Sequence, residues 1–175
     1  MMPPHAVCAE IGVFRGTFSA RILRSAQPKA LHLIDPWKFH TATTYRRSWY
    51  GGTRGKDQTN MDRVHAGVLD RFREEIAAGT VHIHRCTSAE SVQRFPDDFF
   101  DWVYIDGNHL YEFVKSDLES FYPKVTPGGF IAGDDYGVKG WWDGGVTRAV
   151  DEFAGGGRFE KALFKHRQFV LRKRR

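Results

Sequence analysis

Short apolar runs rich in β-branched and aromatic residues alternate along this chain with amphipathic stretches of helical length, and no other feature restricts its fold as much. Strands separated by such stretches run parallel, because each crossover helix returns the chain to the end where the previous strand began. The runs at 7–11, 30–34, 81–85, 102–105 and 130–132 read as strands. Residues 17–25, 61–78, 89–95, 111–122 and 146–153 read as helices. Two last strands follow at 158–165 and 168–172 with a turn at His166 and Arg167, and this hairpin makes the sheet mixed. A length of 175 residues suits one domain, taken as 1–175, and is short for two of ordinary size.

The regular beat breaks once. Residues 40–60, "HTATTYRRSWYGGTRGKDQTN", are polar, glycine-bearing and aromatic, and lie between the second strand and its helix. A connection longer than about 12–15 residues in a compact α/β domain is usually functional or disordered. Trp49 and Tyr50 favour function, since disordered tracts are poor in large aromatics. The insertion, 38–60 at its widest, is expected to serve as a lid or as a substrate or oligomer loop, with Arg46, Arg47, Trp49 and Tyr50 as candidate contacts.

Composition narrows the partners. The net charge of +5 owes much to the terminal run Arg172, Lys173, Arg174 and Arg175, so the body of the domain is nearly balanced and offers nucleic acid a poor surface. Cys8 and Cys86 have neither a CxxC partner nor a metal-ligand spacing, and a reduced, cytoplasmic protein is the expectation. The start MMPPHAVCAEIG shows no signal pattern and no run approaches the roughly 18 apolar residues of a membrane span, so no membrane partner is expected.

"CAEIGVFRGTFSARIL" places Glu10, Gly12 and Gly16 in an E-x-G-x-x-x-G spacing where a strand passes into a helix. Glycines here allow a sharp turn and let a ligand approach the helix N-terminus, although a plain tight turn uses the same residues. Neither G-x-x-x-x-G-K-[ST] nor G-x-G-x-x-G is present, so neither a phosphate-gripping loop nor a dinucleotide fingerprint is satisfied. Asp35 follows the second strand and precedes Pro36 and Trp37. An acid there lies beside the first loop and can accept hydrogen bonds from both hydroxyls of a ribose, while Asp before Pro is also an ordinary turn opener. Two acids around one glycine-bearing crevice favour a nucleoside with a sugar diol and no pyrophosphate, a description that S-adenosylmethionine fits.

Four blocks in order, "AEIGVFRGTFS", "LHLIDPW", "FDWVYIDGNHLYE" and "PGGFIAGDDYG", make the chain resemble the class I S-adenosylmethionine-dependent methyltransferases. Within that class it is similar to the macrocin-type sugar and small-molecule O-methyltransferases, with cephalosporin hydroxylase-like proteins as relatives. The resemblance runs from about residue 7 to residue 151. It implies a Rossmann-like, doubly wound sheet of strand order 3-2-1-4-5-7-6. It also implies cofactor contacts from Glu10, Gly12, Phe14, Gly16, Asp35, Thr87, Ser88 and Asp106. Thr87 and Ser88 follow the third strand, where the resembling families meet the adenine ring, and a Thr-Ser pair before a helix is equally a routine N-cap.

In that strand order the carboxyl ends of strands four and five are neighbours, which brings Asp106 together with Asp134 and Asp135. Clustered carboxylates repel unless a cation joins them, and oxygen-only ligation suits Mg²⁺, or Mn²⁺ or Ca²⁺, better than zinc. The alternative is that Asp134 and Asp135 cap a turn while Asp106 accepts backbone hydrogen bonds. His109 stands where similar catechol-type enzymes carry a lysine, and with Asp106 it forms the candidate catalytic pair. An imidazole of ordinary pKa, ~6.5, is largely neutral at pH 7 and could take the proton of a metal-acidified hydroxyl. Trp141 and Trp142 are candidates for a pocket wall or for core packing.

The expected activity is O-methyl transfer from S-adenosylmethionine to a small-molecule acceptor, a sugar or a vicinal diol or catechol-like compound, assisted by a divalent cation, Mg²⁺ first. A homo-oligomer is compatible with this, because the lid must come from the insertion or from a second subunit. A metal-using hydroxylase-like relative and a non-catalytic S-adenosylmethionine-binding protein are the alternatives. A nucleic-acid methyltransferase is disfavoured by the lack of an N-P-P-[YF]-like motif after strand four.

Overall fold

Parallel strands buried on both faces require a layer of helices on each side. The computed structural model describes residues 2–157 and 159–175. Strands β1 (Val7–Ile11), β2 (Ala30–Ile34), β3 (Val81–His84), β4 (Phe100–Ile105) and β5 (Val125–Gly133) pair in parallel. Strands β6 (Phe159–Lys165) and β7 (Gln168–Lys173) form the closing hairpin, with β7 antiparallel to β5. The order is β3-β2-β1-β4-β5-β7-β6, the Rossmann-like arrangement expected. His166 and Arg167 make the hairpin turn, both with positive φ (53° and 68°). Arg158, expected to open that hairpin, lies outside the described residues.

Successive side chains of a strand point to opposite faces. Ala9, Ile11, Val103 and Ile105 join one core with Val114, Leu118 and Phe121 of helix α6 (Tyr111–Phe121) and Val150 and Phe153 of α7 (Gly145–Gly155). Cys8, Leu31, Leu33, Trp102 and Tyr104 join the other, with Ile22 of α1 (Thr17–Ala26) and Met61 and Val68 of α3 (Gln58–Arg71). Both cysteines are free and buried. Among the described residues no helix is long and apolar enough to cross a membrane.

Several boundaries differ from the sequence reading, each for a local reason. The helix expected over 61–78 begins at Gln58, where Asp57 caps it by accepting from the Asn60 amide at 2.7 Å. It breaks at Phe72 (φ −109°, ψ 22°) before the short α4 (Arg73–Ala77). The break turns Phe72 inward, 2% exposed, with its ring against Gly16, where a Cβ would lie only 2.6 Å from it. The helix expected over 89–95 is α5 (Ser88–Ser91) followed by a 3₁₀ turn, Val92–Arg94. Strand β5 starts at Val125, before the Pro127-Gly128 pair that resembles a turn, because Val125 pairs with Phe100 and both are fully buried. The insertion folds into a 3₁₀ turn (Thr43–Arg47) and a single turn of helix, α2 (Gly52–Gly55), closed by a bridge between His40 and Gly51.

Backbone contacts draw the strand ends together. The Asp106 amide donates to the Ile11 carbonyl at 2.8 Å, and the Gly12 amide to the Ile34 carbonyl at 2.9 Å. Gly12 (φ 88°) approaches so closely that a Cβ would sit 2.1 Å from the Asp106 carbonyl oxygen. At Gly133 a Cβ would lie 2.4 Å from the Ile105 carbonyl and 2.5 Å from the Phe169 ring. Gly133→Ala is therefore expected to lower stability by about 1–3 kcal/mol in a urea titration, the usual cost of overpacking. An unchanged midpoint would show that β4 and β5 do not meet this tightly.

Candidate active site

Asp35 leaves the end of β2 with its carboxylate buried, 1% exposed. Oδ2 accepts from the amides of Val13 and Phe14, each at 2.9 Å, and from the Tyr50 hydroxyl, while Oδ1 accepts from the Trp37 amide at 2.7 Å. Burial raises the Asp35 pKa, opposed by the hydrogen bonds from Tyr50, Phe14, Trp37 and Val13. Trp37 Nε1 donates to the Phe14 carbonyl at 2.8 Å, so the loop after β1 is pinned to the start of the insertion. Phe14 (φ 50°) completes the join, its ring 5.7 Å from that of Trp49 and 5.5 Å from that of Tyr50.

Other residues expected at the cofactor are engaged with the protein itself. Glu10 is 1% exposed and shares a short hydrogen bond with the Ser19 hydroxyl of α1. Burial carries its pKa to about 8 despite that bond, with Asp106 and Asp35 adding to the rise. Thr87 caps α5 in a capping box: the Glu90 amide donates to Thr87 Oγ1 at 3.3 Å and the Thr87 amide to Glu90 Oε2 at 2.8 Å. Ser88 hydrogen-bonds Asp117, a buried acid that burial raises to about 6. Gly12 and Gly16 both hold left-handed backbone, and Gly16 opens α1.

The catalytic candidates assemble at the ends of β4 and β5. His109 Nε2 lies 2.9 Å from Asp135 Oδ2 and 3.4 Å from Asp106 Oδ1, and its ring packs 4.6 Å from that of Trp142. Asp135 stands at φ 59°, a region Asp tolerates better than most residues, and its amide donates to Asp134 Oδ1 at 2.8 Å. Arg167, at the hairpin tip, pairs with the other oxygen of Asp135. Burial would lower the His109 pKa, but Asp106 and Asp135 outweigh it and raise it to about 9. Asp135 is held below the ordinary carboxylate range because His109 and Arg167 outweigh its burial. The two carboxylates thus favour the protonated ring, against the expectation of a largely neutral His109 at pH 7.

The same contacts decide how a cation would fit. Asp106, Asp134 and Asp135 do converge, and after burial Asp134 and Asp135 both push the Asp106 pKa upward, against His109. Yet among the described residues no group of three His, Cys, Asp or Glu side chains is arranged to hold a metal ion. His109 and Arg167 take the places on Asp135, and Asp134 turns back to its neighbour's amide. The expected Asp106, Asp134 and Asp135 ligand set does not fit a divalent cation in this arrangement; protein cations join the carboxylates instead.

Four participants escaped the sequence reading. Asn108 Nδ2 donates to the Tyr45 hydroxyl at 2.8 Å, and the Tyr45 ring meets Trp141 at 5.5 Å, so the insertion also reaches the β4 and β5 side. Arg167 looked like a turn residue. Asp117 carried a readable signal, an acid on the α6 face that buries Val114, Leu118 and Phe121. Arg46 and Arg47 are exposed. A cavity of about 580 Å³ lies elsewhere, between α1 and strands β4, β5 and β7, and its lining includes no carboxylate or imidazole, so its size does not make it the reaction site.

The His109 bracket has a pH signature. A pKa raised above its unfolded value contributes stability fully below ~6.5 and loses it as pH rises through about 9. An NMR titration of the cofactor-free protein should place the His109 midpoint near 9, and Asp135→Asn should bring it down toward the ordinary range. A midpoint near ~6.5 in the unaltered protein would mean that the two carboxylates do not bracket the ring.

A methyltransferase domain family matches residues 9–136. No curated protein matches the chain. Among solved structures, the O-methyltransferase NovP superposes with a TM-score of 0.66 at 21% identity, over 97% of this chain and 72% of that one. The N-methyltransferase NodS from Bradyrhizobium japonicum WM9 gives 0.61 at 13% identity, over 98% and 88%. Spermidine synthase from Thermotoga maritima gives 0.62 at 12% identity, over 97% of this chain and 54% of that one, so the chain spans about half the length of that relative. These likenesses are of fold, while the family match covers the first loop, the Asp35 turn and the His109 cluster: the chain belongs to the methyltransferase domain family, among the class I S-adenosylmethionine-dependent methyltransferases.

Proposed function

We propose that the protein is an O-methyltransferase that methylates a hydroxyl of a small molecule, a sugar or vicinal diol, with His109 as proton acceptor. The observation that carries this reading is His109 Nε2, held between Asp106 and Asp135 at the ends of β4 and β5, beside the crevice bordered by the Gly12 loop. The fold is shared with NovP, an O-methyltransferase, and with NodS, an N-methyltransferase, so the choice of oxygen rests on His109 and its carboxylates.

S-adenosylmethionine, when bound, supplies an electrophilic methyl group on a positively charged sulfur. The donor set suits it: Asp35 is a buried carboxylate able to take ribose hydroxyls, and the glycines of the first loop permit close backbone approach. His109 in its neutral form keeps its Nε2 proton on the two carboxylates and accepts at Nδ1 the proton that the acceptor hydroxyl loses as its oxygen takes the methyl group. Asp106 and Asp135 hold the ring in place and stabilise the imidazolium that results, and Arg167 fixes Asp135. Asp106 and Asp135 raise the His109 pKa, and positive charge brought into the crevice works against that rise, toward the neutral ring that can act as base.

Transfer of labelled methyl from S-adenosylmethionine to a panel of sugars and catechols tests this. His109→Gln should lower kcat by about 10²–10⁴-fold and leave S-adenosylhomocysteine binding in place. Chelation with EDTA should leave turnover intact; loss of turnover restored by Mg²⁺ would return Asp106, Asp134 and Asp135 to the role of cation ligands. Cofactor binding without any methylated product would favour a protein that binds S-adenosylmethionine without turnover.

A further inference from the structure

We propose that Tyr50 competes with the cofactor from within the chain: its hydroxyl occupies the Asp35 carboxylate where ribose hydroxyls are to bind, and the insertion must release Asp35 before the crevice loads. The inference rests on reading that crevice as the S-adenosylmethionine site.

The hydrogen bonds at Asp35 fall unevenly on its two oxygens. An ionised carboxylate offers about four acceptor positions, and four donors address this one: the amides of Val13, Phe14 and Trp37 and the hydroxyl of Tyr50. Oδ2 takes three of them, more than its two lone pairs accommodate, so a ribose hydroxyl reaches that oxygen only when one donor leaves. Three of the four are backbone amides fixed by the ends of β1 and β2, and they belong to the frame of the crevice. Tyr50 is the one side chain among them, it comes from the insertion, and its O–H donates to the carboxylate as a sugar hydroxyl would.

The same segment closes the acceptor side. Tyr45, five residues before Tyr50, accepts from Asn108 at 2.8 Å and packs on Trp141 and His40. His40 donates its amide to the Tyr50 carbonyl at 2.8 Å, so Tyr45 and Tyr50 ride on one small closed unit. Trp37 (φ 42°) and Lys56 (φ 62°), non-glycine residues in left-handed backbone, stand on either side of it. Displacing Tyr50 therefore loosens a segment that also covers His109's neighbours, which links cofactor loading to acceptor access.

Calorimetric titration of S-adenosylhomocysteine into the unaltered protein and Tyr50→Phe tests the competition, because phenylalanine keeps the ring packing on Phe14 and removes only the competing donor. The variant should bind roughly 10-fold tighter or better, the scale of a hydrogen bond to a charged group. Equal or weaker binding by Tyr50→Phe would overturn the proposal and make Tyr50 a support of the crevice. Binding by neither protein would remove the cofactor reading and the competition with it. Hydrogen exchange on the unaltered protein needs no variant: S-adenosylhomocysteine should speed exchange across residues 40–55, and slower exchange there would contradict release of the insertion.

Discussion

A carboxylate taken out of water at the end of a strand has to be supplied with donors, since an unpaired buried charge costs several kcal/mol. Asp35 is the point at which this chain meets that demand most fully. Its donors come from the loop after β1, from the turn after β2 and from the insertion, so satisfying one side chain joins three segments. The position of Phe14, and through it the packing of Trp49 and Tyr50, follows from that single group.

A second group of acids is handled differently. Asp106, Asp134 and Asp135 are not shared out among backbone amides alone; His109 and Arg167 enter between them as cations. The two solutions divide the crevice by chemistry. Around Asp35 the donors are neutral and fix the carboxylate in place, whereas around His109 the partners are ionic and shift its protonation.

What was legible in the sequence was periodic or short-range. The strands β1 and β2 and the closing turn at His166 and Arg167 followed from apolar runs bounded by turn residues, and the cap at Thr87 from a Thr-Ser pair standing before a helix. Phe72 was hidden because helical spacing continues through it, and only the far side of its ring, at Gly16, explains the break. The start of β5 was masked by Pro127 and Gly128, whose local preference yields to the burial of Val125 against Phe100. Asp106, His109 and Asp135 were found as neighbours, while the influence on the imidazole of two carboxylates at 2.9 and 3.4 Å and of burial lay beyond sequence spacing. The Tyr50 contact with Asp35 is a meeting of side chains across a structured insertion, and no spacing announces it.

The hairpin of β6 and β7 carries a consequence for how the molecule matures. Arg167 reaches Asp135 only once β7 has paired antiparallel with β5, Gly133 opposite Phe169. During synthesis the segments holding Asp35, Asp106 and His109 all emerge first, and parallel pairing among them closes long loops slowly. Until the last strand docks, Asp135 lacks its arginine, and the imidazole is bracketed by a carboxylate free to turn away. The set of ion pairs around His109 is thus completed by β7, and it forms in full only once that strand has docked on the sheet.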